Sequence, residues 1–130
     1  MIVGVAISKD IKDRELIKRC INESIKEINS SNIGFVTEFG YDINTIFYQE
    51  FSNKYPIVCL KPANKRYAQL GFYILHYYAM CLDMLENAEY YIIIWNGQSA
   101  DVNFIMSQIV YLHKKYFLFI DGKRTENMPI

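Results

Sequence analysis

Cationic side chains recur where the chain leaves its apolar, strand-like runs. Lys9 follows the first run, and Lys61, Lys65 and Arg66 follow the third. A helix that starts at such a point also offers free backbone N–H groups to an anion. If these runs end at one edge of a parallel sheet, the charges predict a phosphate-binding edge there.

Carboxylates follow the same pattern. Glu38 and Asp42 come after the second run, and Asp101 comes after the fourth. Cations for a phosphate together with carboxylates for ribose hydroxyl groups suit a nucleotide. Glu38 and Asp42 are also the candidate catalytic residues, since a carboxylate could act as nucleophile or general base in cleaving an N-glycosidic bond.

A purely structural interpretation of these loops stays open beside the functional one. Asp42 and Ser99 fit helix N-caps, and Gly40 and Gly97 fit turn positions. Lysines near helix starts are often only solvated. The agreement of four loops favours the functional interpretation.

Several catalytic classes lack their motifs. Gly4 stands alone in the first run, so the dinucleotide fingerprint G-x-G-x-x-G is missing, and neither a P-loop nor a G-x-S-x-G elbow occurs. Cys20, Cys59 and Cys81 have no metal-ligand spacing and are interpreted as small buried hydrophobes. We therefore expect no metal and no cofactor.

Hydrophobic periodicity predicts five strands alternating with four helices. The predicted strands are Ile2 to Ile7, Ile33 to Thr37 or Glu38, Ile57 to Lys61, Tyr90 to Trp95, and Tyr116 to Ile120. The predicted helices are an amphipathic one that Asp10 caps and Asn29 to Asn32 end, then about Ile43 to Asn53, Arg66 to Asn87, and Asp101 to Lys114. Strands that are apolar on both faces predict an α/β, Rossmann-like three-layer sandwich with a parallel sheet. Residues 1–121 would form this single domain, and 122–130 a polar C-terminal tail.

Composition and charge bear on the partners and the cellular location of the protein. The 130 residues carry 14 basic and 14 acidic side chains, and this zero net charge argues against duplex nucleic acid as a partner. Residues 1–10 lack a signal-peptide pattern, so we expect a cytoplasmic protein. The apolar stretch 67–85 is interrupted by Gln69, His76 and Asp83, which predicts a buried helix and no membrane association.

The same segment indicates a protein partner. The predicted helix 66–87 is rich in tyrosine and apolar almost all round, including Tyr77 and Tyr78. It offers more apolar surface than one sheet face can cover, so we expect a homodimer through this helix.

The residues at the predicted strand exits resemble the SLOG superfamily, which includes the DNA-processing protein DprA and the "lonely guy" phosphoribohydrolases. The resemblance covers roughly residues 1–121 and is closest to small stand-alone members. Its segments are Phe39-Gly40-Tyr41-Asp42, Lys61-Pro62-Ala63, Gly71, and Trp95-Asn96-Gly97-Gln98-Ser99. The resemblance implies strand order 3-2-1-4-5 and a nucleotide site at the carboxyl edge, where Ser8 and Lys9 face residues 96–99.

Two departures from that family bear on catalysis. Ile74-Leu75 stands where members carry an Arg-Asn pair, and Asp101-Val102 stands where they carry Gly-Thr. These losses argue against catalysis of the family's type. The first hypothesis is therefore binding, by a module that senses or sequesters a nucleotide or nucleotide-derived signal. Such a module would suit a phage or mobile element that acts on a host defence signal. The alternatives are an N-glycosidic-bond-cleaving enzyme and an interaction module that has lost the site. The expected ligand-binding residues are Ser8, Lys9, Gly40, Asp42, Lys65, Arg66, Asn96, Gly97, Ser99 and Asp101.

Overall fold

The computed structural model describes residues 1–8, 10–38, 46–60, 86–98 and 100–126. Its strands are β1 (Ile2–Ile7), β2 (Gly34–Glu38), β3 (Ile57–Leu60), β4 (Tyr90–Trp95), β5 (Lys115–Ile120) and β6 (Lys123–Thr125). They form one sheet in the order β3-β2-β1-β4-β5-β6. β1 to β5 are parallel and β6 is antiparallel to β5. The predicted order of the five parallel strands is confirmed, and the arrangement is consistent with a Rossmann-like α/β fold.

A sixth strand corrects the prediction of a five-stranded sheet followed by a polar tail from residue 122. Ile120 pairs with Lys123, so Asp121 and Gly122 form a two-residue hairpin turn. Both have positive φ, 52° and 80°, which is the conformation that a type I′ turn requires. The polar segment is therefore ordered as an edge strand as far as Thr125, whereas residues 127–130 lie outside the described residues.

The helices of the described part are α1 (Arg14–Ile28), α2 (Ile46–Phe51) and α3 (Ala100–Tyr111). The prediction that Asp10 caps α1 is wrong, because the N-cap is Asp13, whose side chain accepts a hydrogen bond from the backbone N–H of Leu16. At the other end, the helix ends at Asn29, within the predicted segment 29–32, and Asn29 has the left-handed conformation. The first helix therefore starts later than predicted, and the Asp10 carboxylate is left for another contact.

Helices pack on both faces of the sheet, and β4 shows how. Tyr91, Ile93 and Trp95 face the cluster that contains Ile105 and other residues of α3. Ile92 and Ile94 alternate with them and face the cluster formed by α1 and α2. Because successive strand residues point to opposite faces, a strand apolar at every position must be covered on both sides. The described residues thus form three layers.

Several predictions fall on residues outside the described ranges. These include most of the predicted tyrosine-rich helix 66–87, the start of the predicted helix 43–53, and the expected dimer surface. Of the helices in the described ranges, none combines the length and apolar character that crossing a membrane requires.

Candidate functional site

The candidate site lies where β1 and β4 end side by side. Ile7 pairs with Ile94 in the parallel register, and the backbone N–H of Ser8 donates to the Ile94 carbonyl at 2.9 Å. The chain turns from β1 towards β2 and enters β4 on the opposite side of β1, so the strand order reverses here. In open α/β sheets, ligands bind outside the carboxyl ends of the strands at such a reversal.

Ser8 connects the two strand ends through its side chain. Ser8 is only 1 % exposed, and its Oγ accepts a hydrogen bond from the backbone N–H of Asn96 at 3.1 Å. A buried hydroxyl needs such a partner, since an unsatisfied polar group inside a protein is costly. The predicted proximity of Ser8 and Asn96 is therefore observed, with Ser8 as part of the floor of the junction.

Asp10 joins the same two loops from the outside. The backbone N–H of Ile11 donates to the Ser8 carbonyl at 3.0 Å. Beside it, the exposed Asp10 carboxylate accepts from Nδ2 of Asn96, with its two oxygens at 2.7 and 2.8 Å. This role is not apparent from the sequence, where Asp10 is predicted to cap the first helix.

The loop after β4 has a defined geometry. Oδ1 of Asn96 accepts from the backbone N–H of Gln98 at 2.8 Å, and Gly97 between them has a φ of +86°. A Cβ placed on Gly97 would meet, among the described residues, only Cγ2 of Ile120 at 3.9 Å, which is ordinary contact. Gly97 is therefore required by the backbone conformation, while the space above it is open with respect to the described residues.

Several backbone N–H groups at this edge already have acceptors within the protein. Five amides donate to acceptors within the protein, so they are not free to hold an anion. They belong to Ser8, Ile11, Asn96, Gln98 and Asp121. An anion bound at this junction would therefore need donors other than these five.

The other expected site residues divide into two groups. Glu38 ends β2 and Asp101 is the second residue of α3, and the structure describes only their backbone. The remaining six lie outside the described residues: Lys9, Gly40, Asp42, Lys65, Arg66 and Ser99. The structure thus brings together Ser8, Asn96 and Gly97 of the predicted set and adds Asp10.

Shifted pKa values in the described part of the chain have structural causes. Burial raises the pKa of Cys20 to about 11 and the pKa of Tyr91 above its usual range. The hydrogen bond from Arg14 holds the pKa of Glu50 below its usual value. These shifts follow from burial and from the packing of α1 on α2, so they give no sign of an acid or base tuned for catalysis.

Metal chemistry has no support in the described ranges, where no three His, Cys, Asp or Glu side chains are grouped closely enough to hold an ion. Cys20 is a buried free thiol, and Cys59 is half-buried.

Comparison with protein-family models, with curated proteins and with solved structures finds no match for this chain. The resemblance to the SLOG superfamily therefore stays a prediction from the sequence.

Proposed function

We propose that this protein binds a nucleotide or a nucleotide-derived signalling molecule at the carboxyl edge of the sheet, between the ends of β1 and β4. The observation that carries the proposal is the junction itself: Ser8 and Asp10 of one loop hold Asn96 of the other at the reversal of strand order. Such a junction is where this type of sheet takes its ligands.

The described chemistry favours binding over turnover. No described group of the site has a pKa tuned for catalysis, and the nearest described atom to a Cβ placed on Gly97 is 3.9 Å away, on Ile120. The phosphate contacts are assigned to Lys9, Lys65 and Arg66, as the sequence predicts. Because the Arg-Asn and Gly-Thr pairs are replaced, the protein would sense or sequester its ligand without cleaving it.

Thermal unfolding with added nucleotides tests this proposal. AMP, GMP, CMP, UMP and cyclic nucleotides are compared with inorganic phosphate at equal ionic strength. A ligand at a hundredfold excess over its Kd stabilises the native state by about 3 kcal/mol, which raises the Tm by several degrees. At least one nucleotide should do so, whereas a response no larger than that to inorganic phosphate would overturn the proposal.

A matched pair of variants places the response at the junction. Asn96→Ala removes the side chain that links the two loops and should abolish most of the nucleotide-dependent shift. Asn103→Ala makes the same change at an exposed position of α3 and should keep the shift. Equal shifts in both variants would place the ligand elsewhere. Release of free base in the same samples would instead support the N-glycosidic hydrolase alternative.

A further inference from the structure

The contact between Asp10 and Asn96 joins residues 86 positions apart, yet it lies at the surface. An exposed hydrogen bond exchanges water for a protein partner and contributes little to net stability. Its geometric effect is larger, because the carboxylate of Asp10 can only accept, whereas the side-chain amide of Asn96 has a donor end and an acceptor end.

Asp10 therefore determines which way the Asn96 amide faces. With Nδ2 directed to the carboxylate, Oδ1 faces the other way and accepts from the backbone N–H of Gln98 at 2.8 Å. The opposite orientation would put Oδ1 against a carboxylate and an N–H against an N–H. The orientation is thus transmitted from the loop after β1 to the backbone of the loop after β4.

We propose that Asp10 is a positioning residue, which orients Asn96 and thereby holds residues 96–98 in the conformation that binds the ligand. The proposal rests on the proposed function, since loop 96–98 is one wall of that site. It assigns to Asp10 a role that neither helix capping nor direct ligand contact requires.

Exchanging the two side chains provides the test. Asn96→Asp keeps an oxygen for Gln98 but sets two carboxylates against each other. The double variant Asp10→Asn with Asn96→Asp restores one donor and one acceptor with their roles reversed. Asn103→Asp, the same substitution at an exposed position of α3, is the control. The readouts are the backbone amide NMR signal of Gln98 without ligand and the affinity for AMP by calorimetry.

We expect Asn96→Asp to move or broaden the Gln98 signal at neutral pH and to weaken AMP binding by about tenfold, through repulsion between the two carboxylates. The double variant should recover the signal and bind AMP within about twofold of wild type, a recovery that a merely structural loss would not show. Asn103→Asp should change neither readout.

Two results would overturn the proposal: an unchanged Gln98 signal in Asn96→Asp, or a double variant that binds AMP as weakly as the single one. A third result separates the two proposals. If the Gln98 signal is lost and recovered as expected while AMP binds to no protein, wild type included, the orienting role of Asp10 stands and the proposed function fails.

Discussion

Two turns with an Asx-Gly sequence lie at the same edge of the sheet, Asn96-Gly97 after β4 and Asp121-Gly122 after β5. Both glycines have a positive φ, 86° and 80°. A Cβ on Gly122 would come within 2.8 Å of Cδ1 of Leu16 and 3.0 Å of Nη2 of Arg19, whereas at Gly97 the nearest described atom is 3.9 Å away. Two similar Asx-Gly turns thus differ: Gly122 is packed against α1, whereas Gly97 has no close contact with any described residue.

This difference separates a structural turn from a candidate binding turn. The carbonyl of Gly122 accepts from Nη2 of Arg19 at 2.8 Å, and Arg124 of β6 pairs with Glu27, so the hairpin is fastened to α1 from both sides. Asn96 is held instead by the β1 loop, through Ser8 and Asp10. The two turns can therefore be told apart by substitution.

The largest effect is expected at the packed turn. Gly122→Ala forces a side chain into the left-handed region and into Leu16 and Arg19, which should cost about 2–3 kcal/mol in the free energy of unfolding. Urea denaturation measures this directly. A loss below that of the alanine variant at Gly97 would show that Gly122 is not tightly packed.

The next largest effect is expected at the hydrogen bond between Arg19 and the Gly122 carbonyl. Arg19→Met keeps much of the apolar length of the side chain but removes the donor to the Gly122 carbonyl, and should cost about 1.5 kcal/mol. The double variant Arg19→Met with Gly122→Ala should lose less unfolding free energy than the sum of the two single losses, because both substitutions disrupt the same contact. Fully additive losses would show that Arg19 and Gly122 contribute to stability independently of each other.

A smaller effect is expected at the open turn. Gly97→Ala meets no close described atom, so only the backbone conformation is penalised, by about 1 kcal/mol. Gly97→Asn should cost less than Gly97→Ala, since asparagine tolerates the left-handed region better. If Gly97→Ala were as damaging as Gly122→Ala in the same denaturation series, the contrast between the two turns would be lost.

The smallest effect belongs to the ion pair on the hairpin. The side chain of Glu27 is about half exposed, at 49 %, and the side chain of its partner Arg124 is 32 % exposed. Glu27→Gln should therefore change the free energy of unfolding by no more than about 0.5 kcal/mol, and the change should shrink as salt is added. A larger, salt-independent loss would mean that this pair is the principal anchor of β6.

The fold was largely predictable because β1 and β4 are continuous apolar runs bounded by polar turns, and their predicted limits agree with the structure. The hairpin was missed although Asp-Gly is a strong hairpin signal. Lys123, Arg124 and Thr125 lack the apolar alternation of a strand, because β6 is a short edge strand whose stability comes from β5 and α1.

The candidate site was predictable only in part. Ser8 and Asn96 follow strands that the sequence identifies, and the strand order implied by the family resemblance brings them together. The contact of Asp10 with Asn96 could not be read from the sequence. Asp10 and Asp13 are equally suitable N-caps by residue type, and only the structure shows that Asp13 caps α1 while Asp10 contacts Asn96.

An AMP titration followed by backbone amide NMR tests the central claim most directly. If the junction of β1 and β4 binds the nucleotide, the amide signals of Ser8, Asn96 and Gln98 should shift in a saturable manner, while those of Gly122 and Lys123 should stay in place. Saturable shifts confined to the β5–β6 hairpin, or no shifts up to millimolar AMP, would contradict it.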